Sequence, residues 1–168
     1  RVQKVYAPKA DFLFESLSNL GESPERLSYA DIGAGLGFFV SALRNKGCES
    51  VTGWDVSEEN VKIANTMIGE DLVKYHSLSL HRNLKWPVEA DVVSMIGVLE
   101  HMQNPREIVK ALVSRAQTKY IFVSVPLFSP AVFFEMVFPE VMQRVLSRDH
   151  THLYTNESLR SKEHTSEL

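Results

Sequence analysis

Two kinds of segment alternate along this chain, short apolar runs and longer stretches with a helical repeat of apolar residues. The short runs have the length of buried strands and lie at 27–32, 50–54, 73–76, 91–96 and 119–125. The helical stretches, with turn signals at their ends, lie at 8–20, 38–46, 57–68 and 105–116. Strands that alternate with helices predict βαβ units and therefore a parallel sheet.

The residues that close the first predicted strand carry the first candidate chemistry. From Asp31 the sequence runs D-I-G-A-G-L-G, so an acid is followed by three glycines at alternate positions and then by a helix. A strand, a tight turn and a helix N-terminus form the arrangement in which backbone comes close to a bound nucleotide. Glycine suits the turn because a side chain would hold the ligand away or block a positive φ angle.

A second acid ends the second predicted strand. Asp55 follows Gly33 by 22 positions, near the spacing at which an acid accepts hydrogen bonds from ribose hydroxyls. This spacing supports a ribose without choosing among nucleoside cofactors, and the alternative is an N-cap or loop carboxylate before the helix at 57–68. A dinucleotide fingerprint needs a further glycine where the chain has Phe38, which disfavours a nicotinamide-dependent oxidoreductase.

Two motifs resemble those of a known family. The pattern D-x-G-x-G-x-G from Asp31 resembles the first motif of the class I S-adenosylmethionine-dependent methyltransferases. The pattern L-E-H-x-x-x-P at 99–105 resembles the fourth motif of the small-molecule methyltransferases related to ubiquinone and menaquinone biosynthesis enzymes. The resemblance implies a Rossmann-like, doubly wound parallel sheet of order 3-2-1-4-5. It also implies transfer of a methyl group from S-adenosyl-L-methionine to a small organic molecule, with S-adenosyl-L-homocysteine as product. The acceptor, and whether its oxygen, nitrogen, sulfur or carbon is methylated, stay open.

The same resemblance assigns roles to individual residues. The predicted cofactor-binding residues are Asp31, Gly33, Ala34, Gly35, Gly37, Asp55, Val56, Ile96 and Gly97. Asp31 would lie near the methionine part of the cofactor and Val56 beside the adenine. The family's adenine-binding acid has no counterpart in the S-L-S-L-H sequence at 77–81. His101 is the candidate general base, needed only if the nucleophile arrives protonated, and a residue bonded to backbone at the start of a helix is the equal alternative.

The segment at 129–146 combines a helical apolar face with many aromatic residues. It opens with Ser129-Pro130, a cap and a first-turn proline, and Pro139 interrupts it. We predict that it covers the substrate side of the pocket, where it suits an apolar acceptor or the partner subunit of a homo-oligomer. The alternative is an ordinary helix packed on the sheet.

The end of the chain predicts less than the family usually has. No segment predicts the sixth and seventh strands, so we expect a single domain over 1–168 that is truncated at its C-terminus, either as a short family member or as a fragment of a longer chain. A non-catalytic methyltransferase-like subunit is therefore an alternative to an enzyme.

Composition limits the class of protein further. With 168 residues, 44% of them hydrophobic and 23% charged, the chain has the composition of a soluble globular domain. Its net charge of -3 argues against a general nucleic-acid binder. The single cysteine, Cys48, favours a reducing compartment such as the cytoplasm, and no run has the length of a transmembrane helix. No metal site is predicted, because His150 and His152 have no further ligands near them in sequence.

Overall fold

The computed structural model describes residues 2–76, 89–114, 116–138 and 152–160. These residues form two compact units. The first unit runs up to Ile96 and includes Arg106–Val123, and the second comprises Gly97–Pro105 with the described residues from Ser124 onward. Among the described helices, none combines the length and the apolar character that crossing a membrane requires.

The elements follow the predicted alternation of strands and helices. The strands are β1 (Tyr29–Ile32), β2 (Val51–Asp55), β3 (Val73–Tyr75), β4 (Val92–Ile96) and β5 (Tyr120–Ser124). The helices are α1 (Ala7–Asn19), α2 (Phe38–Asn45), α3 (Glu58–Ile68), α4 (Pro105–Val113), α5 (Pro130–Val137) and α6 (Asn156–Arg160). A π-helical turn at Val2–Tyr6 and 3₁₀ turns at Pro24–Arg26 and Leu99–His101 have no counterpart in the prediction, since turns this short leave no repeat in the sequence.

The strands form one sheet of order β3-β2-β1-β4-β5, which confirms the predicted order. β1 pairs in parallel with both β2 and β4, and its register aligns Asp31 with Gly53 on one side and Ser94 on the other. All four residues of β1 are buried, as expected of a central strand in a parallel sheet. The carboxyl ends of β1, β2 and β4 therefore lie at one edge, where parallel sheets collect their ligands.

The core of the first unit holds the two sides of the glycine turn in place. It combines apolar residues of α1, α2 and the strands, among them Leu13, Leu17, Tyr29, Phe39, Val40, Leu43, Val51, Val73 and Val92. Burial of each large side chain is worth roughly 1.5–3 kcal/mol, so this cluster fixes β1 and α2 relative to each other. The sequence predicts that Leu13, Leu17 and Leu20 form one apolar stripe of the helix at 8–20. Leu13 and Leu17 are buried, but Leu20 lies beyond α1 and is 65% exposed, so its place in the stripe is wrong.

In the second unit, α5 starts as predicted, and its predicted apolar face is about half exposed. Ser129 Oγ accepts a hydrogen bond from the Val132 N–H at 3.4 Å, as the predicted cap requires. Val132 and Glu135 are buried, whereas about half of each side chain on the predicted apolar face is exposed, at Phe134, Val137 and Phe138. The described turns are thus not an ordinary helix packed through that face. Residues 139–146 of the predicted segment lie outside the described residues.

Candidate functional site

The turn between β1 and α2 is tied to the neighbouring strand and open at its middle glycine. The N–H groups of Gly33 and Ala34 donate to the Trp54 carbonyl oxygen at 2.8 and 3.0 Å. Gly35 has a φ of +53°, a left-handed conformation that side chains disfavour. A Cβ atom added at Gly35 would meet no atom within 4 Å, so this position faces open space. The turn is therefore held on β2 and leaves the backbone at Gly35 accessible to a ligand.

Gly37 serves packing rather than access. With a φ of +70° it forms the N-cap position of α2. A Cβ atom there would lie 2.8 Å from Ile68 Cδ1 and 3.2 Å from Ala64 Cβ, both on α3. The third glycine thus lets α3 approach the turn closely, and its contact with a cofactor stays a prediction.

Asp55 links the glycine turn to the end of β2. Its Oδ2 accepts the Gly35 N–H at 2.7 Å and its Oδ1 accepts the Ser57 N–H at 2.9 Å. Ser57 Oγ accepts the Asn60 N–H and makes the cap of α3, so Asp55 is not its N-cap. Asp55 is nevertheless a loop carboxylate before this helix, as the other form of the alternative states. Each carboxylate oxygen can accept two hydrogen bonds, so Oδ2 keeps capacity for a hydroxyl group of a ligand.

Asp31 is a buried carboxyl group whose charge depends on its surroundings. It is 3% exposed, and its Oδ1 accepts a hydrogen bond from Ser94 Oγ at 2.6 Å. Burial raises the pKa of Asp31 to about 7, Ser94 opposes this increase by bonding the carboxylate, and the charge of Asp55 adds to it. Near neutral pH the protonated and ionised forms of this carboxyl group are therefore close in free energy. The ionised form suits a cationic ligand.

The other predicted cofactor residues lie at the ends of strands. Val56 follows β2 and is 55% exposed, so its side chain is available to pack on a base. Ile96 is the last residue of β4 and packs partly against the core of the first unit. Gly97 belongs to the second unit, where its N–H donates to the Ser124 carbonyl oxygen at 2.8 Å. The first unit thus brings the glycine turn together with Asp55, while the binding roles of all these residues stay predictions.

The candidate base lies in the second unit. His101 is exposed and ends the 3₁₀ turn that follows β4, and its N–H donates to the Val98 carbonyl oxygen at 3.0 Å. The preceding Glu100 is 2% exposed, and its carbonyl oxygen accepts the His152 N–H at 3.2 Å. The His101 N–H is thus bonded to backbone at the end of this turn, and its role as general base stays a prediction.

One side chain at the site was not identified from the sequence. Ser94 stands inside the apolar run of β4, and its position there predicts only a strand residue. The signal that could have found it is the strand order: once β4 lies next to β1, a hydroxyl residue in register with Asp31 is its natural partner. The S-L-S-L-H sequence at 77–81 and His150 lie outside the described residues.

Comparisons with known proteins agree with both motifs. A family model described as a methyltransferase domain matches residues 2–162. The chain is 32% identical over 129 residues to the ubiquinone biosynthesis O-methyltransferase of Bordetella parapertussis, with 74% of this chain and 53% of the relative covered. The protein of the same name from Bordetella avium is 28% identical over 145 residues, with 83% and 59% covered. The chain therefore spans about half the length of the curated relatives it matches.

Solved structures share the fold. The magnesium protoporphyrin IX methyltransferase of Synechocystis PCC 6803, solved with bound SAH, has a TM-score of 0.68 at 16% identity, covering 93% of this chain and 70% of that one. The plantazolicin methyltransferase BpumL, solved with a monoazolic desmethylPZN analogue and SAH, has a TM-score of 0.66 at 16% identity, covering 94% of this chain and 61% of that one. At these identities the likeness shows the fold alone. The family model, which matches nearly the whole chain, shows more: the chain belongs to the class I S-adenosylmethionine-dependent methyltransferase family.

Proposed function

We propose that this chain binds S-adenosyl-L-methionine at the glycine turn and transfers its methyl group to a small organic molecule, leaving S-adenosyl-L-homocysteine. The observation that carries the proposal is the 2.7 Å hydrogen bond from the Gly35 N–H to Asp55 Oδ2. It brings the accessible turn beside the carboxylate that ends β2. One ligand can therefore run along the backbone at Gly35 and offer its ribose hydroxyls to Asp55.

Each predicted cofactor residue suits a different part of the cofactor. Asp31 in its ionised form would attract the positively charged methionine end, and the exposed Val56 would pack on the adenine. When bound, the cofactor supplies a methyl group on a sulfonium, which a nucleophile attacks in line. The task of the chain is then to hold the two reactants in register, an effect worth up to about 7–11 kcal/mol in well-oriented systems.

The names of the curated relatives suggest the class of acceptor. Those proteins are called ubiquinone biosynthesis O-methyltransferases, so we propose O-methylation of an acceptor from ubiquinone biosynthesis. An apolar acceptor is also supported by α5, where about half of each of Phe133, Phe134 and Phe138 is exposed. The alternative is that the partner subunit of a homo-oligomer covers these side chains, through the segment at 129–146.

Two further roles belong to the proposal. His101 would accept the proton of a hydroxyl nucleophile, a role supported by its place in the L-E-H-x-x-x-P motif and its exposed side chain. A reducing compartment such as the cytoplasm is proposed because Cys48, the single cysteine of the sequence, is buried as a free thiol. The family membership argues against the nicotinamide-dependent oxidoreductase alternative.

Calorimetric titration with S-adenosyl-L-methionine tests the cofactor site. Gly35→Ala should weaken binding about tenfold or more, because its Cβ atom enters the space that the ligand needs. Gly69→Ala is the matched control: Gly69 also has a positive φ, of +80°, and no atom within 4 Å, but it ends α3. Asp55→Ala should also weaken binding. If Gly35→Ala and Asp55→Ala both bind like the parent, the cofactor lies elsewhere.

Formation of S-adenosyl-L-homocysteine separates an enzyme from a non-catalytic subunit. The purified chain is mixed with labelled S-adenosyl-L-methionine and candidate hydroxylated ring compounds, and product is measured by mass spectrometry. Methylated acceptor supports the proposal. Tight cofactor binding with no transfer to any acceptor of this class would favour the non-catalytic alternative.

A further inference from the structure

Two serine–aspartate pairs join β1 to β4, one toward each end of these strands. Before β1 and β4 begin, Ser28 Oγ donates to Asp91 Oδ2 at 2.7 Å. Toward their carboxyl ends, Ser94 Oγ donates to Asp31 Oδ1 at 2.6 Å. The Asp91 carboxylate also forms an ion pair with Lys119, at 3.0 Å. The two pairs therefore share one type of hydrogen bond but differ in whether a cation balances the acid.

Nothing among the described residues of the first unit supplies Asp31 with a counter-charge. From β2, Asp55 adds a like charge, and β4 contributes the neutral hydroxyl group of Ser94. The charge of α2 lies in its last turn at Arg44, which donates to the carbonyl oxygens of Cys48 and Glu49 and to the carboxylate of Glu70. Beyond that helix, Lys46 forms an ion pair with Asp11 of α1.

We infer that Ser94 is the positioning residue which holds the Asp31 carboxyl group toward the methionine end of the cofactor, and that cofactor binding expels one proton from Asp31. This inference rests on the proposed function and extends it to the protonation of the site. With 3% exposure and one neutral hydrogen-bond donor, Asp31 favours its protonated form over part of the neutral range when no cation lies beside it. A cation placed beside it favours the carboxylate, so the proton leaves to the buffer while Ser94 keeps its hydrogen bond to the oxygen.

The expected consequence is an affinity that depends on pH. Burial raises the pKa of Asp31 to about 7 in the absence of cofactor. Below that pH, the free energy of binding therefore includes the cost of removing the proton. Affinity should then fall about tenfold per pH unit toward acid and level off above about pH 7. The Ser94 hydroxyl favours the carboxylate, so its loss should move the levelling-off to higher pH.

Calorimetry in pairs of buffers with different heats of ionisation counts the protons. Between pH 5.5 and 7.5, binding of S-adenosyl-L-methionine to the parent should release close to one proton at the acid end and about half a proton near pH 7. Asp31→Asn should release none beyond what the ligand itself contributes. Ser94→Ala should shift the release curve to higher pH. Ser28→Ala removes the corresponding hydroxyl at the other end of the same two strands and should leave the curve unchanged.

A spectroscopic measurement follows the ionisation of Asp31 in the parent itself. Carbon-13 NMR of the aspartate carboxyl groups, with Asp31 assigned by its absence in Asp31→Asn, gives its pKa with and without S-adenosyl-L-methionine. A fall in this pKa on binding supports the inference, and an unchanged value overturns it. Binding without proton release overturns the inference alone. Absence of binding at every pH overturns the proposed function, and the inference with it.

Discussion

Ser28 and Asp91 hold each other through three hydrogen bonds at the start of β1 and β4. The N–H and Oγ of Ser28 both donate to Asp91 Oδ2, at 3.0 and 2.7 Å, and the Asp91 N–H donates back to Ser28 Oγ at 2.9 Å. These bonds from Ser28, with the neighbouring Lys119, lower the pKa of Asp91. Asp31, on the same sheet, has its pKa raised by burial. As pH rises, ionisation of Asp91 therefore increases the free energy of unfolding, whereas ionisation of Asp31 decreases it.

Ionisation of the buried Asp31 should lower the stability of the parent as pH rises, and Asp31→Asn should remove this loss. Between the ordinary pKa of 3.8 and the folded value of about 7, the folded chain binds more protons than the unfolded one. The free energy of unfolding therefore falls with pH across this window, by on the order of 4 kcal/mol for the full shift. We expect Asp31→Asn to differ least from the parent near pH 4 and to gain on it up to pH 8, measured by urea denaturation.

Asp91→Asn provides the comparison of opposite sign. Because the pKa of Asp91 is lowered in the folded chain, its contribution to stability is present above about pH 4 and is lost as pH falls through the folded pKa. Asp91→Asn should thus be less stable than the parent at pH 7, with a difference that shrinks in acid.

The outcome that would contradict the Asp31 prediction is a constant difference in stability between Asp31→Asn and the parent from pH 4 to 8. Asp31 would then not titrate near neutrality.

The part of the site predicted from the sequence depends on single segments of chain. Asp31 and the glycines of its turn are recognisable because strand, turn and helix follow one another within a few residues, and Asp55 because one βαβ unit fixes its distance. The contact between Asp31 and Ser94 joins residues 63 positions apart. It depends on the register of β4 against β1, which no local pattern contains.

The exposure of α5 also depends on contacts that no local pattern contains. Periodicity shows which residues share a face of a helix, and the face at Phe134, Val137 and Phe138 was correctly grouped in that sense. It does not show what the face packs against. The buried positions are Val132 and Glu135 instead, so a polar residue points inward and the aromatic side chains are half exposed.

Gly37→Ala should destabilise the fold even without a ligand. The added Cβ atom would meet Ile68 Cδ1 at 2.8 Å and Ala64 Cβ at 3.2 Å, and the positive φ adds strain. Overpacking costs about 1–3 kcal/mol and a left-handed alanine about 1–2 kcal/mol, so we expect a loss of about 2–5 kcal/mol by chemical denaturation. Gly69→Ala carries the strain in open space and should lose only about 1–2 kcal/mol. Equal losses in the two variants would show that α3 yields to the extra methyl group.

His101→Gln should separate proton transfer from binding. Glutamine keeps a polar side chain that can hydrogen-bond but cannot accept a proton at neutral pH, so kcat should fall about 10²–10⁴-fold if His101 is the base. The Kd for S-adenosyl-L-methionine should stay unchanged, which calorimetry checks. A variant that retains full kcat would leave His101 with its backbone role only.

The exposed aromatic residues of α5 test the proposal of an apolar acceptor. Phe133 and Phe134 are 51% and 48% exposed, and their rings meet edge to face at 6.1 Å. Full burial of a phenylalanine is worth roughly 1.5–3 kcal/mol, so a ligand that covers one half-exposed ring gains about half of this. Phe133→Ser or Phe134→Ser should therefore raise KM for an apolar acceptor about threefold to tenfold and leave the Kd for the cofactor unchanged. Phe12→Ser is the control, because Phe12 is 62% exposed on α1 in the first unit.

Sedimentation of the same variants identifies the other occupant of this face. If the parent is a homo-oligomer that dissociates when either phenylalanine is replaced, a second copy covers α5 and the acceptor does not. If KM rises while the sedimentation coefficient stays constant, the acceptor is the occupant. Hydrogen exchange of the α5 amides adds a third measurement. Protection that appears only when acceptor is added indicates that the acceptor binds there, because a bound ligand reduces local unfolding of the helix. Unchanged KM, sedimentation and exchange would mean that neither occupant binds there, and both assignments of the 129–146 segment would be wrong.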